Sequence, residues 1–170
     1  METKPKNFNA WEDKQTVKKG SFAEKIIKSF LEEKGYVVYM PETRGAHAFD
    51  NLAIKNKENI IIAECKAKAK RNHYPDTGIN LTHYKTYLHI QEKHSLKVFI
   101  FFIDEMVGAI YGNYMEKLTA PVKVNNKCYP CIEKNIVYFP LKNMVKIKSL
   151  SQDQVDCLKN HSTRSHEYAI

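Results

Sequence analysis

The segment Lys97–Asp104 sets six large apolar residues in a row, Val98-Phe-Ile-Phe-Phe-Ile103. Successive side chains of a strand point to opposite faces, so this run is apolar on both sides. Such a strand has to be covered above and below, which predicts a central strand with a layer on each face of its sheet. The flanking sequence supplies those layers. Residues 21–35 carry Phe22, Ala23, Ile26, Ile27, Phe30 and Leu31 at helical spacing, with Ser21 as the expected N-cap and Gly35 as the stop. Residues 81–94 repeat the helical pattern, with Leu81, Tyr84, Leu88 and Gln91 near one face. Residues 36–40, 47–54 and 60–66 read as strands, the last two joined into a hairpin by a polar turn at 56–59. Residues 109–114 are expected to pair with the central strand, 127–132 and 135–139 to form a late hairpin, and 150–158 a short helix. The expected fold class is α/β (α+β), one mixed sheet flanked by helices with a small C-terminal β-hairpin addition. Residues 1–19 read as a basic arm containing Trp11, 20–148 as the main domain, and 149–170 as a short helix with a polar tail.

A chain of 170 residues that is 43% hydrophobic can bury a core of its own without metals or disulfides. No apolar run approaches the length of a membrane span, and the opening residues read without a secretory leader. Four cysteines do not make a disulfide framework at this size, so a reducing, cytoplasmic setting is expected. Lys and Arg number 27 against 19 Asp and Glu, a net charge of +8 that points to a polyanionic partner.

The chemistry-bearing pattern is Asp50, thirteen residues, then Glu64-Cys65-Lys66 at the end of Ile60-Ile-Ile-Ala. Strand parity puts Ile60, Ile62, Glu64 and Lys66 on one face and Cys65 in the opposite layer. Across a hairpin, Asp50 comes beside Glu64. Two neighbouring carboxylates repel, and a hard cation such as Mg²⁺ resolves the conflict. The adjacent ammonium can orient or deprotonate a water, or neutralise a scissile phosphate, a layout suited to metal-assisted phosphodiester hydrolysis. The competing reading is a solvated strand end bearing common surface residues.

In these residues the chain resembles the PD-(D/E)xK nuclease superfamily, the restriction-endonuclease-like fold, over roughly residues 19–118. Asp50, Glu64 and Lys66 stand at the signature's Asp, Glu and Lys, and Glu24 lies in the preceding helix. The order KKGSFAEK, GYVVYMPETRGAHAFD, IIIAECKAK is most similar to Holliday-junction resolvases of archaeal and Gram-positive type. The signature proline is absent, since Phe49 precedes Asp50, and Pro75-Asp76 lies after the E-x-K strand. The resemblance implies catalytic roles for Asp50, Glu64, Lys66 and Glu24. Mg²⁺, with Mn²⁺ as substitute, would be held by Asp50, Glu64 and the Cys65 backbone carbonyl. It further implies DNA as substrate, 5′-phosphate and 3′-hydroxyl products, and a homodimer, for which the aromatic stretch 129–139 is the candidate surface. Glu24 has a second reading, because Ser21-x-x-Glu24 also matches a capping box. A linear-duplex or single-strand nuclease, or a non-catalytic nucleic-acid-binding module, would carry the same pattern.

Lys18, Lys19, Arg44, Lys68, Lys70 and Arg71 surround the expected site as candidate DNA contacts, with Lys68 and Lys70 continuing the parity of Lys66 if the strand persists. Gln91 is a candidate from the second helix, where an aromatic stripe of Tyr84 and Tyr87 reads more readily as core. His47 lies three residues before Asp50. Cys128, Cys131, Cys157 and His161 match a zinc spacing, C-x2-C and C-x3-H, but the first two fall in an apparent strand, so packed thiols rather than zinc are expected. Cys65 is expected in the core.

Overall fold

In a computed structural model the protein is described for residues 14–41 and 48–162; Trp11, Arg44, His47 and the tail after Ser162 lie outside the described residues. The elements are α1 (Gln15–Glu33), β1 (Val37–Tyr39), β2 (Asn51–Asn56), β3 (Asn59–Ala67), β4 (Asp76–Asn80), α2 (Leu81–His94), β5 (Lys97–Asp104), β6 (Ala109–Tyr114) and α3 (Met115–Leu118). They continue with β7 (Val122–Val124), β8 (Lys127–Tyr129), β9 (Cys131–Glu133), β10 (Ile136–Pro140), a 3-10 turn at Leu141–Asn143, β11 (Val145–Ser149) and α4 (Gln152–Asn160). Six strands form one mixed sheet in the order β1-β2-β3-β5-β6-β11. β3 and β5 run parallel, with Ile61 opposite Lys97 and Ala67 opposite Ile103, and the other pairs are antiparallel.

The double-sided apolar run at β5 sits near the centre of this sheet, as its pattern requires. Phe101 and Ile103 face α1 in a layer with Ala23, Ile27, Leu31, Ala63 and Cys65. Val98, Ile100 and Phe102 face the other way, against Ile62, Tyr87, Val137 and Phe139. Each large aliphatic or aromatic side chain buried this way contributes about 1.5–3 kcal/mol before the entropy of ordering is set against it. The expected mixed sheet flanked by helices is therefore the observed fold. Among the described residues no helix is long and apolar enough to cross a membrane.

Several boundaries differ from expectation for identifiable reasons. α1 begins at Gln15, so Ser21 lies mid-helix, and residues 15–19, expected in the arm, are helical. The Ser21–Glu24 capping box does not form. A capping box is present instead at α4, where Ser151 Oγ accepts from Gln154 N–H and the Gln154 side chain accepts from Ser151 N–H. α1 has no side-chain cap, and Gly20 weakens its first turns. Tertiary contacts hold them: Lys19 Nζ lies 2.5 Å from Glu105 Oε1 and Gln15 Oε1 is 2.9 Å from His161 Nδ1.

The late β addition is larger than a hairpin. Lys127–Tyr129 pairs with β7, while β10 lies between β9 and β4 in a three-stranded sheet that covers the α2 face. Strand β4 forms at Asp76–Asn80, where the sequence pattern predicts no strand, and β11 adds a sixth strand to the main sheet. In the stretch 129–139 the aromatic residues Tyr129, Tyr138 and Phe139 are buried with Val137, whereas Ile132 is exposed. The buried side chains are committed within the chain and offer no surface to a second copy.

Candidate active site

β3 delivers Glu64 and Lys66 to the α2 face of the sheet, and β2 runs back alongside it with Asn51 opposite Ala63. Asn56 sets that hairpin by accepting from the Glu58 and Asn59 N–H groups. The register brings Asp50 to Glu64. Asp50 N–H donates to Glu64 Oε2 at 3.3 Å, and Cys65 N–H donates to Asp50 Oδ2 at 2.8 Å. Lys66 Nζ forms an ion pair with Glu64 Oε1. Glu64 is 1% exposed, a charge the fold keeps out of water.

Two carboxylates thus share one lysine. Burial, followed by repulsion from Glu64, pushes the Asp50 carboxyl up to about 7, against the pull of Lys66 and the Cys65 N–H. Burial works to lower the Lys66 ammonium, but Glu64 and Asp50 outweigh it and hold its pKa above the ordinary lysine value. The Cys65 thiol lies in the opposite layer, raised by burial and then by Asp50, and is no nucleophile.

Glu24 projects from α1 into a cleft of about 380 Å³ also lined by Lys19, Lys66, Lys68 and Glu105, and its charge adds to the upward pressure on Asp50. Among the described residues no three His, Cys, Asp or Glu side chains are gathered closely enough to hold an ion by themselves. Asp50 and Glu64 offer hard oxygen donors on a buried, repelling pair, which fits a divalent cation that keeps waters or takes backbone oxygens for its other positions. The Cys65 peptide is at hand for that, its N–H already on Asp50. The residues present fit Mg²⁺.

Two residues at this site carried no clear signal in the sequence. Tyr87, 2% exposed on α2, lies near Glu64 and Asp50, and burial, followed by the Glu64 charge, raises its pKa. His83, one turn earlier, has its ring 6.1 Å from Tyr87; burial and then Lys66 lower its pKa, opposed by Glu64. The aromatic spacing points to Tyr87 as core, which it is, and only the packing of α2 on the sheet brings it near the carboxylates. Gln91 lies one turn further along α2, toward the start of β5, with its Oε1 buried and unpartnered among the described residues.

The basic residues divide. β3 ends at Ala67, and Lys68 N–H turns back onto Lys66 O, so the parity expected for Lys68 and Lys70 is broken. Lys68 Nζ donates to Gly78 O at 3.2 Å. Arg71 grips Asp76 with Nε and Nη2, each at 2.6 Å, and reaches Glu133 with Nη1 at 2.7 Å. Lys19 is paired with Glu105. Lys70 keeps its side chain in solvent while its N–H binds Asp104. Cys128 and Cys131 lie in the strands of the small sheets, whereas Cys157 and His161 end α4, which packs Leu158 into the α1 layer. The main sheet separates the two pairs.

No family model and no curated protein matches this sequence. Among solved structures the fold is similar to that of a Holliday junction resolvase from the archaeal hyperthermophile Archaeoglobus fulgidus. The likeness has a TM-score of 0.53 at 9% identity and covers 73% of this chain and 90% of that one. The shared feature is the nuclease-like fold.

Proposed function

We propose that this protein is a divalent-metal-dependent DNA endonuclease that hydrolyses phosphodiester bonds, of the kind that resolves Holliday junctions. One observation carries the reading: Asp50, Glu64 and Lys66 converge at the end of a buried strand with more negative charge than the fold compensates. The fold's likeness to an archaeal resolvase supports it.

Asp50 and Glu64 would hold Mg²⁺, with the Cys65 carbonyl and Glu24 as further oxygen donors. When bound, the ion supplies Lewis-acid polarisation of a phosphoryl oxygen and lowers the pKa of a water. The chain's own residues do the rest. The Cys65 N–H fixes one Asp50 oxygen and so aims the other. Lys66, relieved of part of its attraction to Glu64 once a cation shares that carboxylate, positions the attacking water or neutralises charge developing on the phosphate. Lys19 and Lys70 add salt-sensitive backbone contacts. Paired cuts across a four-way junction call for a homodimer, and light scattering on the DNA-bound protein tests that.

The test is cleavage of a labelled four-way junction, a linear duplex and a single strand with Mg²⁺ or Mn²⁺, with Lys66→Ala as control. Symmetric junction cuts lost in the variant support the resolvase reading. Cleavage of linear DNA alone keeps the chemistry and removes the junction role. Binding without cleavage of any substrate leaves a nucleic-acid-binding module.

A further inference from the structure

We propose that Met106 and Val107 form an apolar wedge that enters the base stack of bound DNA within a few base pairs of the cleaved phosphate. The inference rests on the nuclease reading and adds to it the feature of DNA that the enzyme recognises. Both side chains are 50% exposed at the tip of the β5–β6 hairpin, where turns ordinarily carry Gly, Asn, Asp or Ser. Leaving two adjacent large apolar groups in water gains the fold nothing.

The tip is braced. Asp104, 4% exposed, accepts from Met106 N–H at 2.9 Å, Val107 N–H at 3.3 Å and Lys70 N–H at 3.1 Å. Gly108 closes the turn at φ +62°, and its carbonyl accepts from Leu150 N–H at 2.9 Å. Glu105 turns inward to Lys19, so the residues on either side of the pair are fixed while Met106 and Val107 point out. A preorganised apolar group loses little conformational freedom when it inserts.

Its position selects the partner. β5 runs parallel to β3 with Phe102 opposite Lys66, so the hairpin tip and the catalytic residues share one edge of the sheet. Met106 lies four residues beyond that row, the last two in the turn after Asp104, so at most about 13 Å away and within about four base-pair steps. The exposed Lys70 side chain stands beside the tip, and Lys19 and Lys66 line the adjoining cleft, in a chain of charge +8. A charged backbone outside and apolar bases inside match that combination, and apolar wedges of this kind kink and unstack duplexes. DNA whose stack is already interrupted by a branch spares the unstacking cost, so the wedge favours junctions over intact duplex.

The experiment uses a set of four-way junctions carrying 2-aminopurine singly at each of the four steps on either side of the cut, in EDTA. The Lys66→Ala protein is compared with Lys66→Ala/Met106→Ser/Val107→Ser, in which the two added changes lie at exposed positions. Binding by the first is expected to raise the fluorescence severalfold. The added substitutions should abolish that rise and weaken junction binding roughly tenfold. A substrate with an unpaired bubble at the same step should restore equal binding. An undiminished rise in the triple variant, or junction binding by the Lys66→Ala protein without a rise, overturns the wedge. So does a substituted tip that changes only self-association in light scattering, which would assign the pair to protein contact. The fluorescence needs no turnover, so wild-type protein that cuts nothing counts against the nuclease reading alone, whereas failure to bind DNA at all removes both.

Discussion

Two corners of this molecule bury a carboxylate beside cations, with opposite results. At Asp76, fully buried, Arg71 supplies a two-pronged grip, Tyr129 donates its hydroxyl at 2.7 Å, and Lys127 stands 4.0 Å away. The guanidinium carbon lies 3.6 Å from the Tyr138 ring centroid and 4.5 Å from that of Tyr74, and Glu133 accepts from Nη1. Every strong demand there is met. At Asp50 the ingredients are similar, but two carboxylates share Lys66, and Asp50 titrates near 7 because burial and Glu64 oppose its charge. The first corner is a fastening that closes the loop after β3 onto β4. The second is a charge imbalance imposed by strand register, which a cation would relieve. Buried polar chemistry alone does not mark a functional site; the residual demand does.

The largest expected effect breaks the unbalanced corner. Asp50→Asn and Glu64→Gln should each lower Mg²⁺-dependent cleavage by about a thousandfold or more, since each removes a charge that would hold the ion. Single-turnover rates on a junction check this, and retention of near wild-type rates by both would remove these residues from the site. In the balanced corner the loss should appear in stability. Arg71→Ala leaves the buried Asp76 with only Lys127 and Tyr129, at a cost of about 3 kcal/mol. Urea unfolding measures it, while the rate per folded molecule should change little. A variant of normal stability with weakened DNA binding would return Arg71 to the DNA contacts.

The corners should also respond to pH in opposite directions. Glu133 is held at about 2 in the folded protein by hydrogen bonds from Lys127 and Arg71, against 4.5 ordinarily. Its contribution is present above about 4.5 and lost as pH falls toward 2. Asp50, at about 7 against 3.8, contributes most fully below about 4 and loses that contribution as pH rises through 7. Melting temperatures in EDTA should therefore decline between pH 5 and 8, less steeply in Asp50→Asn, and Mg²⁺ should raise the wild-type value most at the alkaline end. A flat wild-type profile with no response to Mg²⁺ would mean that the imbalance is absent.

The residues of the unbalanced corner were legible in the sequence because they lie on regular strands. Parity alone places Glu64 and Lys66 together and Cys65 opposite, and one hairpin turn brings in Asp50. The double-sided run at β5 likewise forces a covered sheet. The balanced corner was illegible, because Asp76, Glu133, Lys127, Tyr129 and Tyr138 come from four short strands divided between two small sheets. Residues 76–80 lack any apolar alternation that marks a strand, and they become one only against β10. For the same reason Arg71 read as a loop cation facing DNA. Ser21 misled differently: a good local cap signal was overridden by tertiary ties at Lys19 and Gln15 that carry the helix past it.

The smallest and sharpest test is Tyr87→Phe, which leaves the ring in the core and removes only the hydroxyl. If the Tyr87 hydroxyl donates to Glu64, removing it costs about 1 kcal/mol in stability while Glu64 keeps Lys66 and the Asp50 N–H. If the bond only satisfies a buried carboxylate, melting temperature should fall and the cleavage parameters should stay as they are. If it also aims Glu64, kcat should fall several-fold with KM for DNA unchanged, and the Mg²⁺ concentration needed for half-maximal rate should rise. Tyr87→Leu would confound the two by opening a cavity, whereas the phenylalanine keeps the packing. A raised Mg²⁺ requirement would join Tyr87 to the unbalanced corner and make the covering helix part of the site.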